Sequence, residues 1–175
     1  MNYVSTPLQR ARGQFGLEVR ACGARTRMAD LVQAGCCRLL FPRIAGQGLE
    51  VATVNISGGI AAGDQIEGRL ACGAETDLVV TSQAAERIYR SRPQDTAAEM
   101  SVSCRIGARA RLEWLPHGTI FFDGARLRRH MRVEMAASSS FLFLESRIFG
   151  RQGSGEHLSN LRVRDRLSIH RDGTL

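Results

Sequence analysis

The stretch from Asn55 to Gly68, NISGGIAAGDQIEG, contains four glycines, and glycine-rich loops often bind phosphate. A phosphate-binding P-loop needs a Lys followed by Ser or Thr, with a helix opening behind it. The chain has no lysine, Asp64 follows Gly63, and the next residues, QIEGRLAC, alternate as a strand does. The stretch therefore predicts a turn between strands, in which glycines supply positive φ angles and Asp64 bonds to nearby backbone amides.

Hydrolytic and metal-binding motifs are missing from the sequence. Its four histidines form no i, i+4 pair and no His-x-Glu, and Ser57 lies in Ser-Gly-Gly rather than in a nucleophile elbow. Paired carboxylates do the chemistry of β-solenoid glycosidases. The candidates here are Glu86, Glu113, Asp123 and Glu145, but their separation in space does not follow from their spacing. We expect a protein that is not an enzyme.

Polar residues also occur where strand-like segments end. Glu145 shares an alternating face with Phe141 and Phe143, and a buried carboxylate must be paired with a cation, a metal or water. A salt bridge to an arginine is the favoured interpretation. Thr81, Ser82, Gln83 and Glu86 follow an apolar strand, and such a cluster marks a lined channel or an interface.

Composition limits the partners and the compartment. The 175 residues carry a net charge of +7, and all 24 basic residues are arginines, so nucleic acid, anionic lipid and acidic proteins all suit the charge. Five cysteines without a Cys-x-x-Cys predict neither a disulfide framework nor a zinc site. We expect a reducing cytoplasm, with Cys22, Cys72 and Cys104 buried in strands. No apolar run is long enough for a signal peptide or a membrane span.

Period-2 alternation dominates the chain and predicts an all-β fold. Strand–turn–strand segments recur, and the turn residues Ala74, Ala108 and Ala137 are 34 and 29 residues apart. This spacing is typical of stacked β units, although a sandwich or barrel also fits it. Ser82 to Ser91 could form a short helix, or the preceding strand could run on into a loop.

Several segments together resemble the UreD (UreH) family of urease accessory proteins. They are RARGQFGLEVR, LVQAGCCRLLFPR, NISGGIAAGD, TSQAAERIYRS and LEWLPHGTIFFDGARLRR, and their order and spacing match as well. The resemblance implies a β-helix-like stack of strands with one or two short helices. It also implies a maturation chaperone that binds apo-urease, a helical accessory protein and a nickel-carrying GTPase, and that passes nickel onward. An internal channel is one route for the nickel that the resemblance suggests.

The resemblance also carries over a set of motif positions and a hypothesis about nickel. The motif positions are Asn55, Ser57, Gly58, Gly59, Asp64, Thr81, Ser82, Gln83, Glu86, Tyr89, Glu113, Phe122, Asp123, Gly124 and Arg126. Nickel in transit needs weak ligands such as hydroxyls, amides and sparse carboxylates. The candidate channel-lining groups are Asp64, Ser82, Gln83 and Glu145. We expect no tightly bound cofactor and no membrane partner, and a basic nucleic-acid-binding module is the alternative function.

Residues 1–175 are expected to form a single domain that lacks the C-terminal part of the family. An Asp-Gly pair close to Leu175 is typical of a hairpin turn. The chain is then either a fragment, with an exposed sheet edge and poor solubility, or a short variant.

Overall fold

The structure is a computed structural model that describes residues 9–43 and 46–174. Within these ranges there are fourteen strands. In chain order they are β1 Arg12–Cys22, β2 Arg25–Gly35, β3 Cys37–Leu40, β4 Leu49–Asn55, β5 Gln65–Cys72, β6 Asp77–Ser82, β7 Glu86–Ile88, β8 Ala98–Ile106, β9 Arg111–Trp114, β10 Thr119–Phe121, β11 Arg126–Met135, β12 Ser140–Phe143, β13 Arg147–Phe149 and β14 Arg162–Arg171.

From β5 onward the chain winds in coils, and each coil contributes one strand to each of three sheets. The six-stranded sheet has the order β14-β11-β8-β5-β1-β2, the five-stranded sheet β12-β9-β6-β4-β3, and the three-stranded sheet β13-β10-β7. Strands of successive coils pair in parallel. The predicted mainly-β fold of stacked strands is therefore confirmed, with three strands in each coil.

The segment before β5 is built differently. Strands β1 and β2 form an antiparallel hairpin around Gly23, whose φ is +58°, and β3 pairs antiparallel with β4. Strands β1 and β4 then lie parallel to the first coil, against β5 and β6. The hairpin thus covers one end of the stack.

Alternate side chains of each strand point into the space between the sheets and form the core. In the six-stranded sheet one inward column runs through Leu17, Leu70, Cys104 and Val133, which are at most 3% exposed. Ile169 of β14 continues the column but is 38% exposed. Each buried aliphatic side chain contributes roughly 1.5–3 kcal/mol, so stacking of the coils is the main stabilising interaction.

Of the two alternatives for Ser82 to Ser91, the short helix is wrong and the strand that runs on into a loop is confirmed. Strand β6 ends at Ser82, and β7 follows after a bend. The amide of Glu86 donates to the Gly118 carbonyl of the next coil, and the Arg87 carbonyl accepts from Ile60. These contacts between coils use the groups that a helix would bond internally. Within residues 9–43 and 46–174 there is no α-helix, and the sole helical turn is a 3-10 turn at Gln152–Ser154.

Candidate functional site

A cavity of about 290 Å³ lies between the sheets, where β4, β6 and β9 end. Apolar side chains of the six-stranded sheet form one wall, and polar groups from the chain segments after β4, β6 and β12 form the other. Among the residues that line the cavity are Cys37, Asn55, Ser82, Gln83, Glu86, Trp114, Arg129 and Glu145.

The glycine-rich turn supports this cavity. Gly58, Gly59 and Gly63 have φ angles of +79°, +147° and +81°, as the sequence predicts for a turn between strands. A Cβ added to Gly59 would lie 2.4 Å from the Tyr89 ring, and the Tyr89 hydroxyl donates to the Gly58 carbonyl at 2.8 Å. The turn is therefore packed against Tyr89 and leads into strand β5, not into a helix that could hold a phosphate.

Asp64 ties this turn to the start of β1. Its carboxylate is 5% exposed and accepts bonds from the amides of Ala11 and Ala61, both at 2.8 Å. The predicted bonding of Asp64 to backbone amides is present in the structure. Asp64 does not line the cavity, so among the four candidate lining residues it is the one that the fold places elsewhere.

Glu86 lines the cavity together with Asn55. The Asn55 Nδ2 donates to both carboxylate oxygens, at 3.2 and 3.4 Å, and the Arg87 amide donates at 3.1 Å. Burial raises the pKa of Glu86 above its ordinary value, and these hydrogen bonds offset part of that shift. In the part of the chain that the structure describes, no ion pair includes Glu86.

Ser82 and Gln83 lie on the same cavity wall as Glu86. The Ser82 hydroxyl accepts from the His117 amide at 2.9 Å and donates to the Ala84 carbonyl at 2.9 Å. The backbone amide of Gln83 donates to the Thr53 carbonyl at 2.9 Å. Because these bonds fix the bend after β6, Ser82 is held in place by the backbone that surrounds it.

Glu145 lines the cavity but is fully bonded to protein groups. It accepts from the Trp114 indole at 3.0 Å and forms a two-pronged ion pair with Arg129, one bond of which is 2.8 Å long. Arg129 also contacts Asp165 at 2.5 Å, and Asp165 contacts Arg147 at 2.6 Å. The salt bridge that the sequence favours for Glu145 is thus present, and it belongs to a neutral network of two arginines and two carboxylates.

The network joins the three sheets at one side of the cavity. Arg129 and Asp165 are register partners on β11 and β14, Glu145 follows β12, and Arg147 begins β13. Sequence reasoning did not single out Arg129, because one arginine among 24 has no distinguishing local pattern. The pairing register of β11 and β14 is what identifies it.

The thiols of Cys37, Cys72 and Cys104 are poor nucleophiles, because their pKa values are raised. Cys37 faces the cavity, and burial with the neighbouring charges of Cys36 and Glu86 raises its pKa to about 12. Cys72 and Cys104 are buried as predicted, with pKa values raised to about 12 chiefly by burial. The prediction for Cys22 is wrong, since it lies exposed at the end of β1. No three His, Cys, Asp or Glu side chains within the described ranges are close enough to hold a metal ion.

Comparison with known proteins decides the family. The family model of the UreD urease accessory protein matches residues 10–175. The chain belongs to the UreD family.

Curated relatives agree with this assignment. Urease accessory protein UreD of Chelativorans sp. strain BNC1 is 41% identical over 97% of this chain and 60% of its own length. The proteins of the same name from Rhizobium rhizogenes and Dinoroseobacter shibae are 39% and 40% identical, over 98% of this chain and 62% and 61% of their lengths. The chain thus spans about three fifths of these relatives. The comparisons give no support to the nucleic-acid-binding alternative.

Other positions that the family resemblance carries over lie away from the cavity and hold loops. Asp123 is buried, and the amides of Ser159 and Asn160, with Arg90, lower its pKa below the ordinary range. The Arg126 guanidinium donates to the Pro93 and Asp95 carbonyls at 2.8 and 3.2 Å. Of the carboxylates considered for glycoside hydrolysis, Glu86 and Glu145 line one cavity but bond to different partners, and Asp123 lies outside it.

The remaining carried-over positions also contact nearby protein groups. Glu113 pairs with Arg111, Gly124 has a φ of +75° beside Arg90, and the Phe122 ring packs edge-on against Tyr89 at 5.1 Å. Thr81 offers its carbonyl to the Thr53 hydroxyl at 3.1 Å. The described part of the chain contains no helix long and apolar enough to cross a membrane.

Proposed function

We propose that this chain acts in urease maturation, as a non-catalytic scaffold that binds the apo-enzyme while nickel is delivered. The observation that carries the proposal is the UreD family match over residues 10–175, together with relatives that are named urease accessory proteins. A helical accessory protein and a nickel-carrying GTPase are the further partners that the family resemblance supports. Five cysteines without a disulfide suit the cytoplasm as its location.

We assign the cavity to nickel in transit. A conduit must bind its cargo weakly, and carboxylate, amide and hydroxyl oxygens are weak ligands for nickel compared with thiolates. Asn55, Ser82, Gln83 and Glu86 offer such oxygens on one wall. The carboxylate of Glu145 is neutralised by Arg129, whereas Glu86 is bonded only by neutral donors. Glu86 is therefore the group that we expect to contact the cation first.

Complementation tests both parts of this proposal. The host carries urease genes, but its own UreD gene is deleted, and it is supplied with a gene for this chain. The nickel content of the purified urease is measured by mass spectrometry, and urease activity is measured in parallel. Without the gene we expect urease protein that lacks nickel, and the wild-type chain should restore the metal. Urease that is fully loaded in the deletion strain, or unloaded after supply of this chain, would contradict the maturation role.

The variant Glu86→Gln tests the cavity. It keeps the size of the side chain and removes the charge, so nickel loading should fall several-fold. The matched control is Glu75→Gln, because Glu75 is exposed and pairs with Arg109 in a turn outside the cavity. If urease carries the same amount of nickel with both variants, the cavity is not the route of the nickel, and the maturation role is unaffected by that result.

A further inference from the structure

Like charges face each other on the outer surface of the six-stranded sheet. Strands β11 and β14 pair in parallel, so their outward residues meet in register: Arg126 faces Arg162 and Arg128 faces Arg164, and Arg166 is the next outward residue of β14. Neighbouring strands are about 4.8 Å apart. We call Arg126, Arg128, Arg162, Arg164 and Arg166 the arginine ladder.

The ladder has few internal partners. Arg126 bonds to backbone carbonyls, and Arg128 reaches Glu99 only at 3.9 Å with its side chain 70% exposed. Arg162, Arg164 and Arg166 are exposed and take part in no ion pair of the described residues. Like charges directly opposite each other destabilise a sheet. The ladder therefore lowers the stability of the free protein, and an anionic surface would relieve that cost.

We propose that the arginine ladder is a docking surface for an acidic face of a partner protein. This inference rests on the proposed scaffold function, which requires protein partners. Each guanidinium presents a planar fork that binds a carboxylate through two hydrogen bonds. The alternation of the strands places these forks in two parallel rows, at every second residue, on the outer face of the sheet.

The surroundings of the ladder favour a protein over a nucleic acid or a membrane. Carboxylates flank it on the same outer face: Glu134 pairs with Arg132 at 2.8 Å, and Glu99 lies beside Arg128. These negative charges would repel a continuous phosphate backbone or an anionic bilayer, whereas a protein can match a mixed pattern. The outward positions of β11 and β14 carry no Phe, Tyr or Trp side chain on which a base could stack, and the rings on this face are the imidazoles of His130 and His170.

The test compares two double variants with the same change in charge. R164T/R166T removes part of the ladder. R20T/R27T is the matched control, because Arg20 and Arg27 face each other across β1 and β2 of the same sheet, at its other end. Binding to a labelled oligoglutamate peptide, to duplex DNA and to phosphatidylserine-containing vesicles is measured by fluorescence, and binding to apo-urease is measured separately.

Loss of two exposed charge contacts should weaken oligoglutamate binding about tenfold in R164T/R166T, and by no more than about threefold in the control. Both variants should melt no lower than wild type, because each relieves repulsion. Equal weakening in the two variants would overturn the proposal. Tighter binding of DNA or vesicles, with the same dependence on Arg164 and Arg166, would overturn the assignment to a protein partner.

The apo-urease measurement keeps this proposal separate from the scaffold function. Weaker binding of apo-urease by R164T/R166T alone would support the ladder as the contact with that partner. If wild type fails to bind apo-urease while oligoglutamate binding still depends on the ladder, the scaffold function falls and the acidic-partner surface stands.

Discussion

Replacing Arg129 with methionine should be among the most destabilising single substitutions in the protein. The side chain is 14% exposed and bridges two carboxylates, Glu145 at 5% and Asp165 at 13% exposure. After the substitution Asp165 keeps Arg147 at 2.6 Å, but Glu145 keeps only the Trp114 indole at 3.0 Å. The dominant effect is therefore one orphaned buried carboxylate, not the loss of a favourable pair.

The magnitude follows from that orphaned charge. Breaking a buried ion pair from one side costs about 3–5 kcal/mol. For a chain of 175 residues, each kcal/mol lowers the melting temperature by about 2–4 °C, so the expected fall is roughly 6–20 °C. Thermal unfolding followed by circular dichroism at neutral pH measures it, with urea unfolding as a second measure of the free energy.

Two further variants test the reasoning. R129M/E145Q removes the orphaned charge and keeps the Asp165–Arg147 pair, so most of the lost stability should return. R132M makes the same replacement on the same strand at an exposed pair, and should change the free energy of unfolding by about 0.5 kcal/mol or less. If R129M unfolds within about 1 kcal/mol of wild type, or E145Q gives no rescue, the network does not work as described.

Three other outcomes follow from the structure. Gly59→Ala should lower the free energy of unfolding by more than about 2 kcal/mol, because the added Cβ would lie 2.4 Å from the Tyr89 ring and the φ is +147°. Urea unfolding measures this change, and an unchanged free energy would mean that the turn repacks without strain. The raised pKa of Glu86 means that the folded state binds a proton more readily than the unfolded chain does. The contribution of Glu86 to stability is therefore fully present below its ordinary pKa and is lost as the pH rises through the raised pKa. E86Q should melt at a higher temperature than wild type at neutral pH, and the difference should shrink toward pH 4.5. A difference that stays constant with pH would show that the raised pKa of Glu86 is not its cause. Thiol reagents at pH 8 should modify exposed Cys22 rapidly but Cys104, with its pKa raised to about 12, only after unfolding; mass spectrometry of the labelled peptides distinguishes them, and rapid labelling of Cys104 in the folded protein would contradict its burial.

The tripeptide Cys-Gly-Ala shows where sequence reasoning ends. At Cys22 it closes the antiparallel hairpin of β1 and β2, with Gly23 at a φ of +58°. At Cys72 the same three residues turn a corner between two different sheets, and the positive φ moves to Glu75. The local pattern predicts a turn in both places. The choice between hairpin and corner depends on the neighbouring strand, because the Gly73 amide donates to the Val19 carbonyl of β1.

The candidate site divides in the same way. The bonding of Asp64 to backbone amides and the salt bridge of Glu145 follow from residue type and alternation, since a buried carboxylate must find donors close by. That Glu145 and Glu86 line one cavity, whereas Asp64 does not, depends on how the coils stack.

By itself the sequence determined that the chain is built of strands, which side chains of each strand face inward, and where glycine must supply a positive φ. These properties are local, because alternation and backbone conformation depend only on near neighbours in the chain. Tertiary structure decided which strands pair, the register that places Arg129 beside Asp165, and the arginine ladder on the outer face. The Arg129–Asp165 contact and the facing arginines of the ladder join residues 36 positions apart, and a period of two fixes the face of a strand but not its partner.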